Sequence, residues 1–173
     1  MSDSESDDAG KTSEPVTLLR APVSLDYEYS AGQSASRFLR AIEQGKLLGQ
    51  RCPVDGRVYF PSRGSCPQHA VTFGDEVVEL SDKGTLVTFS IVRIPSENIP
   101  LELPYITANV LLDGSDTILM HVLDASLDDV HMGMRVQAVW KPKEEWTTST
   151  ANIMYFRPID EPDADYESYK EHI

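Results

Sequence analysis

Apolar and polar positions alternate with two different periods along this chain. Ala35, Phe38, Leu39 and Ile42 recur at the i, i+3, i+4, i+7 spacing of one helix face, and Gly45 follows them. Ser34 is a residue type that caps helix N-termini, so the pattern predicts a short amphipathic helix over 35–44. Leu47 to Arg51 then leads into a turn-rich segment, and Val58-Tyr59-Phe60 and Glu76 to Leu80 predict two short strands. From Gly84 the period falls to two. Leu86–Val92, Tyr105–Leu112, Thr117–Leu123, Met134–Lys141 and Asn152–Arg157 are rich in β-branched and aromatic residues and predict five strands. Asp113-Gly114 is a tight-turn pair joining the second strand to the third. Pro95, Pro100 and Pro104 mark a loop between the first and second.

Five strands with a hairpin between the second and third, and a longer connection before the fourth, predict a mainly β fold. A small closed barrel of the OB-fold type fits best, since closure removes exposed strand edges. An open sandwich stays in play, because strand count alone does not fix closure.

Between helix and barrel lie two knuckles, Cys52-Pro53-Val54-Asp55-Gly56 and Cys66-Pro67-Gln68-His69. Each sets a Cys three residues before a second potential metal donor, and ten residues separate the two pairs. That is the spacing of a zinc ribbon, with Asp and His where two further Cys would be expected. Thiolate, imidazole and carboxylate all serve a tetrahedral zinc site, so Cys52, Asp55, Cys66 and His69 are the expected metal ligands. Two other readings stand beside this one. The ribbon keeps its shape without metal, with Asp55-Gly56 an ordinary turn pair and His69 a surface residue. Or Cys52 and Cys66 form a disulfide, which two Cys with no secretory signal make the weaker option.

Length and charge narrow the setting. At 173 residues the chain suits one domain with tails, or two small modules. No basic-then-apolar leader and no bilayer-length apolar run occurs, so a cytoplasmic protein without membrane attachment is expected. The net charge of −13 is concentrated at the two ends, which are expected to be disordered. Arg37, Arg40, Lys46, Arg51, Arg57 and Arg63 face only Glu43 and Asp55 over their own stretch, a locally basic zone that could meet a phosphate or an acidic partner. In the barrel stretch acids outnumber Arg93, Arg135, Lys141, Lys143 and Arg157. Single-strand binders need a cationic groove, so no nucleic-acid partner is expected.

Catalytic chemistry is not written in the chain. His121 lies inside the third barrel strand, where a barrel residue with one satisfied nitrogen is the ordinary reading. His131 neighbours Asp128 and Asp129 in a connection. No nucleophile elbow, phosphate loop or zinc-protease helix occurs. Trp140 and Trp146 flank the loop after the fourth barrel strand, as groove lining or as packing anchors.

Several stretches resemble one known family. Phe38-Leu39-Arg40-Ala41-Ile42-Glu43-Gln44-Gly45-Lys46-Leu47 is similar to its entry helix, Gln50-Arg51-Cys52 and Cys66-Pro67 to its knuckle openings, and Tyr59-Phe60-Pro61-Ser62-Arg63 to the segment between them. Gly84-Thr85-Leu86-Val87-Thr88-Phe89, Pro104-Tyr105, Leu112-Asp113-Gly114 and Gly133-Met134-Arg135-Val136 resemble its barrel strands and turns. The family is that of acyl-CoA-associated proteins with a rubredoxin-like zinc ribbon and an OB-fold, catalogued as domain of unknown function thirty-five; the likeness covers roughly residues 34–158. Asp55 and His69 depart from its usual Cys, and Ser62 from a common second Pro.

Composition and pattern together divide the chain into an acidic disordered lead and extended arm over 1–33, a helix and zinc-ribbon-like module over 34–80, an OB barrel over 81–158 and an acidic tail over 159–173. The resemblance implies a non-catalytic accessory subunit that docks on a thiolase-like, lipid-transfer-type enzyme acting on acyl-CoA thioesters, in settings such as steroid or aromatic acid degradation. The partner would carry the catalytic residues and the acyl-CoA. A stand-alone acyl-CoA or lipid-binding module and a nucleic-acid-binding OB protein are the alternatives, the second disfavoured by charge.

Overall fold

The computed structural model describes residues 18, 21, 23, 25, 26, 28–96 and 99–173. The expected acidic lead of residues 1–10 lies outside them. Residues 31–173 form one compact unit.

The helix α1 (Gly32–Ile42) begins earlier than the sequence pattern predicts. Its N-cap is Ala31, with no side-chain cap bond, and Ser34 lies inside the first turn rather than at the cap. Its end follows from Gly45 at φ 74°, a left-handed conformation that glycine adopts without a Cβ penalty. The Gly45 N–H then donates to Ile42 O (3.1 Å) and the Lys46 N–H to Ala41 O (3.0 Å), the Schellman pattern. The apolar stripe packs within its own chain: Phe38 meets Phe60 edge-on at 5.5 Å, and Phe38 and Ile42 are buried with Leu47, Val58 and Leu80.

Three strands make the ribbon sheet: β1 (Leu47–Arg51), β2 (Val58–Tyr59) and β3 (Val77–Leu80), in the order β2-β1-β3. Five more close a barrel: β4 (Lys83–Val92), β5 (Tyr105–Leu112), β6 (Ile118–Leu123), β7 (Arg135–Trp140) and β8 (Ile153–Pro158). The order is β4-β5-β6-β8-β7, with β7 pairing back on β4. Only β6 and β8 run parallel, meeting at Leu123 and Phe156. This is the OB-fold barrel, and closure rules out the open sandwich. Period-two patterning shows plainly in β5, where Ile106, Ala108, Val110 and Leu112 are buried and the residues between them are not. Those four join Leu86, Val136 and Phe156 in the barrel core.

Polar clamps tie ribbon to barrel. The turn before β6 satisfies the outer edge of β2: the Val58 N–H donates to Asp116 Oδ2 (2.6 Å), the Asp116 N–H to Val58 O (2.8 Å), and the Phe60 N–H to Thr117 Oγ1 (2.8 Å). Buried Asn152 donates to Ile42 O (3.1 Å) and so holds the C-terminus of α1 against the loop before β8.

The acidic C-terminal segment is not disordered as expected. Residues 159–173 fold onto β7 and the turn at Gly133, where the Ala164 N–H donates to Gly133 O (2.9 Å) and Tyr169 is buried. Glu161 bridges Lys83 and Arg135, and Asp163 pairs with His131 Nε2 at 2.9 Å. Composition reads these acids as unpaired charge; in the fold each of the two finds a partner, two cations for Glu161 and an imidazole for Asp163. Among the described residues no helix is long and apolar enough to cross a membrane.

Candidate metal centre

The two knuckles share one backbone scheme. In the first, the Cys52 N–H donates to Arg57 O (2.8 Å) and Cys52 O accepts from the Gly56 N–H (3.0 Å). In the second, the Cys66 N–H donates to Val71 O (2.8 Å) and Cys66 O accepts from the Ala70 N–H (2.9 Å). The residue four after each Cys takes a positive φ, 77° at Gly56 and 53° at Ala70. Each turn buries its Cys, and the residues at the third position, Asp55 and His69, come within 3.9 Å of each other.

Cys52, Cys66 and His69 converge, with their donor atoms all within 4.8 Å of one another. His69 Nδ1 stands 3.5 Å from both thiol sulfurs. Asp55 is adjacent: its Oδ2 lies 3.9 Å from His69 Nδ1, while its Oδ1 accepts from the Arg57 N–H at 3.1 Å. Both cysteines are free and fully buried, so the structure holds no disulfide between them. The three converging groups can hold a metal ion.

Electrostatics favours anionic sulfur here. Burial pushes the Cys66 thiol up, but hydrogen bonds from the Tyr59 hydroxyl and from His69 and Gln68 outweigh it and bring the group down to about 6. Tyr59 is held protonated by the same contact, its hydroxyl pushed up to about 12. Burial raises Cys52 instead. Without metal the pair therefore carries one thiolate near neutrality, and a metal taking both sulfurs would displace the Cys52 proton. Asp55 is lowered although burial opposes it, because the Arg57 N–H, Cys52 and His69 favour its carboxylate.

Sequence reasoning missed the residues that shape this centre. Tyr59 reads in the sequence as a strand residue and as part of the segment between the knuckles, not as a partner of the metal site, yet its hydroxyl lies 3.5 Å from Cys66 Sγ and its ring packs on Phe73. Gln50 is buried and anchors the ribbon loops through Ser62, the Gly64 N–H and Gly74 O. Ser62, the departure from a second Pro, is used here as a hydroxyl partner for Gln50. Nothing in their sequence neighbourhood marks these roles.

The other sequence candidates are structural. His121 sits against Phe156, takes the Val122 N–H at 2.9 Å on Nδ1, and is lowered by burial. Trp140 and Trp146 pack on each other with ring centroids 5.5 Å apart, and both indole N–H groups are bonded, to Asp82 and to Lys141 O. Half of the basic zone is paired with acids: Arg37 with Asp75, Lys46 with Glu79 and Arg57 with Asp55.

A knuckled ribbon built onto an OB barrel is the class of protein these features define. Residues 77–141 match the family model described as ChsH2, C-terminal OB-fold domain. A DUF35 domain-containing scaffold protein of Methanocaldococcus jannaschii is 34% identical over 116 residues, covering 66% of this chain and 82% of the relative. The chain belongs to this DUF35 family, whose ChsH2-type OB domain it carries. A probable enoyl-CoA hydratase alpha subunit of Thermomonospora curvata is 25% identical over 121 residues, which cover 70% of this chain and 36% of that protein. Among solved structures, the Ltp2-ChsH2(DUF35) aldolase shares the fold at TM-score 0.55 and 23% identity, over 76% of this chain and 98% of the other.

Proposed function

We propose that this chain is a non-catalytic accessory subunit that docks on a thiolase-like, lipid-transfer-type acyl-CoA enzyme of the cytoplasm, steadies it and lends a wall to its acyl-CoA channel. The observation that carries the reading is membership of a family whose relative is named a scaffold protein. The enoyl-CoA hydratase subunit among the relatives supports the acyl-CoA side, and the aldolase complex with a DUF35 chain supports a partner enzyme. The side chains agree with a scaffold. His121 is wedged into the barrel wall, His131 is tied to Asp163, and the two thiols are fully buried in the knuckles.

The ribbon holds zinc through Cys52, Cys66 and His69, with Asp55 as the fourth ligand. Two sulfurs, one imidazole nitrogen and a carboxylate oxygen suit that borderline-soft ion better than magnesium or calcium. Bound there, the metal would cross-link the two turns.

Co-expression with the source organism's thiolase-fold enzymes tests the function. One of them is expected to co-purify with this chain and to lose solubility or carbon–carbon bond activity on acyl-CoA when the chain is omitted. Turnover of an acyl-CoA by the lone chain overturns the reading. Elemental analysis is expected to find one zinc per chain, lost in Cys52→Ser.

A further inference from the structure

The outer wall of β5 and β6 is apolar where a barrel exposed to water is ordinarily polar. Tyr105 and Thr107 from β5, and Met120 and Val122 from β6, form its floor, and Ile99 and Leu101 of the β4–β5 loop overhang it. A shallow groove of about 230 Å³ runs between them, and a second of about 420 Å³ continues past Tyr105 and Val122 to Ala125, Leu127 and Tyr155. Met120 is 72% exposed and Leu101 41%, large apolar surface for a solvated strand and loop. In OB barrels the second and third strands, with the loop between the first and second, are the usual ligand-binding wall. Here those parts are β5, β6 and the β4–β5 loop.

Charge at the margin selects the occupant. No Lys or Arg lines either groove. Asp124 lines the second groove, Glu102 lies between Leu101 and Leu103, and Asp128 and Asp129 follow Leu127. Nucleic acid needs cations to replace its counterions and finds none lining these grooves. A free CoA thioester brings phosphates to an acidic margin. A second copy related by a two-fold axis would set these acids against their own equivalents.

We propose that the outer wall of β5 and β6 is the face on which the partner enzyme docks, receiving an apolar segment bordered by Lys or Arg. This rests on the reading that a partner enzyme exists, and it names the surface that meets it. Apolar side chains from the partner fill the two grooves, and its cations face Glu102 and Asp124.

The test titrates the purified full chain with the thiolase-fold enzyme recovered by co-expression. Met120→Glu and Leu101→Glu, both at exposed positions, are expected to weaken binding by about tenfold or more each. Glu102→Lys is expected to weaken it by roughly two- to fivefold, and added salt to weaken the wild type further. Ile173→Glu, at an exposed C-terminal position, is the control and is expected to bind as the wild type does. Wild-type affinity in Met120→Glu and Leu101→Glu assigns the contact to another face and overturns the proposal, leaving the accessory role intact. No binding by the wild-type chain to any thiolase-fold enzyme overturns both. Octanoyl-CoA bound by the lone chain and lost in Met120→Glu, or a wild-type dimer that Met120→Glu dissolves, gives the wall to a different occupant and likewise overturns the proposal.

Discussion

Ribbon and barrel are both short-stranded β structures, but they are held together in different ways. The barrel closes around one continuous apolar interior, with Leu86, Val110, Val136 and Phe156 wholly buried. The knuckles of the ribbon bury Cys52, Tyr59, Cys66 and Phe73, with Val71 packed alongside. Ordering each backbone residue costs about 1–2 kcal/mol, and a cluster this small cannot offset that cost over two turn-rich loops. Hydrogen bonds from Gln50 and the clamp at Asp116 and Thr117 offset part of that cost, and ligation of the proposed zinc would add to them. The barrel is thus specified by hydrophobic volume, which the ribbon sheet shares through Leu47, Val58, Phe60 and Leu80, and the knuckles by a few polar atoms.

Removing the zinc proposed for the knuckles breaks the comparison most sharply. Cys66→Ser, or a strong chelator, is expected to open the knuckles while the barrel stays folded, since ligation of structural zinc contributes on the order of 10 kcal/mol in small zinc modules. Hydrogen exchange should then rise over residues 49–73 and stay slow in β5 and β7. Rapid exchange throughout both parts would show that the barrel depends on the ribbon.

The converse change strikes the barrel. Phe156→Ala empties the site where β6 meets β8 and is expected to lower stability by about 3–5 kcal/mol in urea unfolding. Zinc should stay bound below the new midpoint.

A smaller effect compares the knuckles with each other. Ala70 holds the left-handed position that glycine fills at Gly56. Ala70→Gly relieves that conformation and is expected to raise stability by about 1 kcal/mol or less, read as a shift in the urea midpoint.

The smallest effect is the pH dependence of the C-terminal segment. Glu161 is lowered chiefly by its hydrogen bond from Lys83, so its contribution is complete above the ordinary value of 4.5 and is lost as pH falls through the folded value. His131 is raised chiefly by Asp129 O and then Asp163, so its contribution is complete below 6.5 and is lost as pH rises through the folded value. Exchange of amides 159–173, corrected for intrinsic rates, should be slowest between those values. Glu161→Gln should remove the acid limb only.

The chain's own order of residues determined the local elements: the helix stripe, the five barrel strands and the two Cys knuckles. Each rests on a period of 3.6 or 2, or on a spacing within a few residues, which sterics enforce over short range. Tertiary structure decided the rest. Periodicity says which face is buried but not what covers it, so the return of β7 to β4 and the parallel meeting of β6 with β8 were open to a sandwich. Tyr59 reaches Cys66, and Asp116 and Thr117 seal β2, across gaps in sequence that only the folded chain spans. The acidic end misled for a related reason. Composition counts charges, whereas the fold gives Glu161 the cations Lys83 and Arg135 and Asp163 the imidazole of His131, and pairing in space is invisible to a count along the chain.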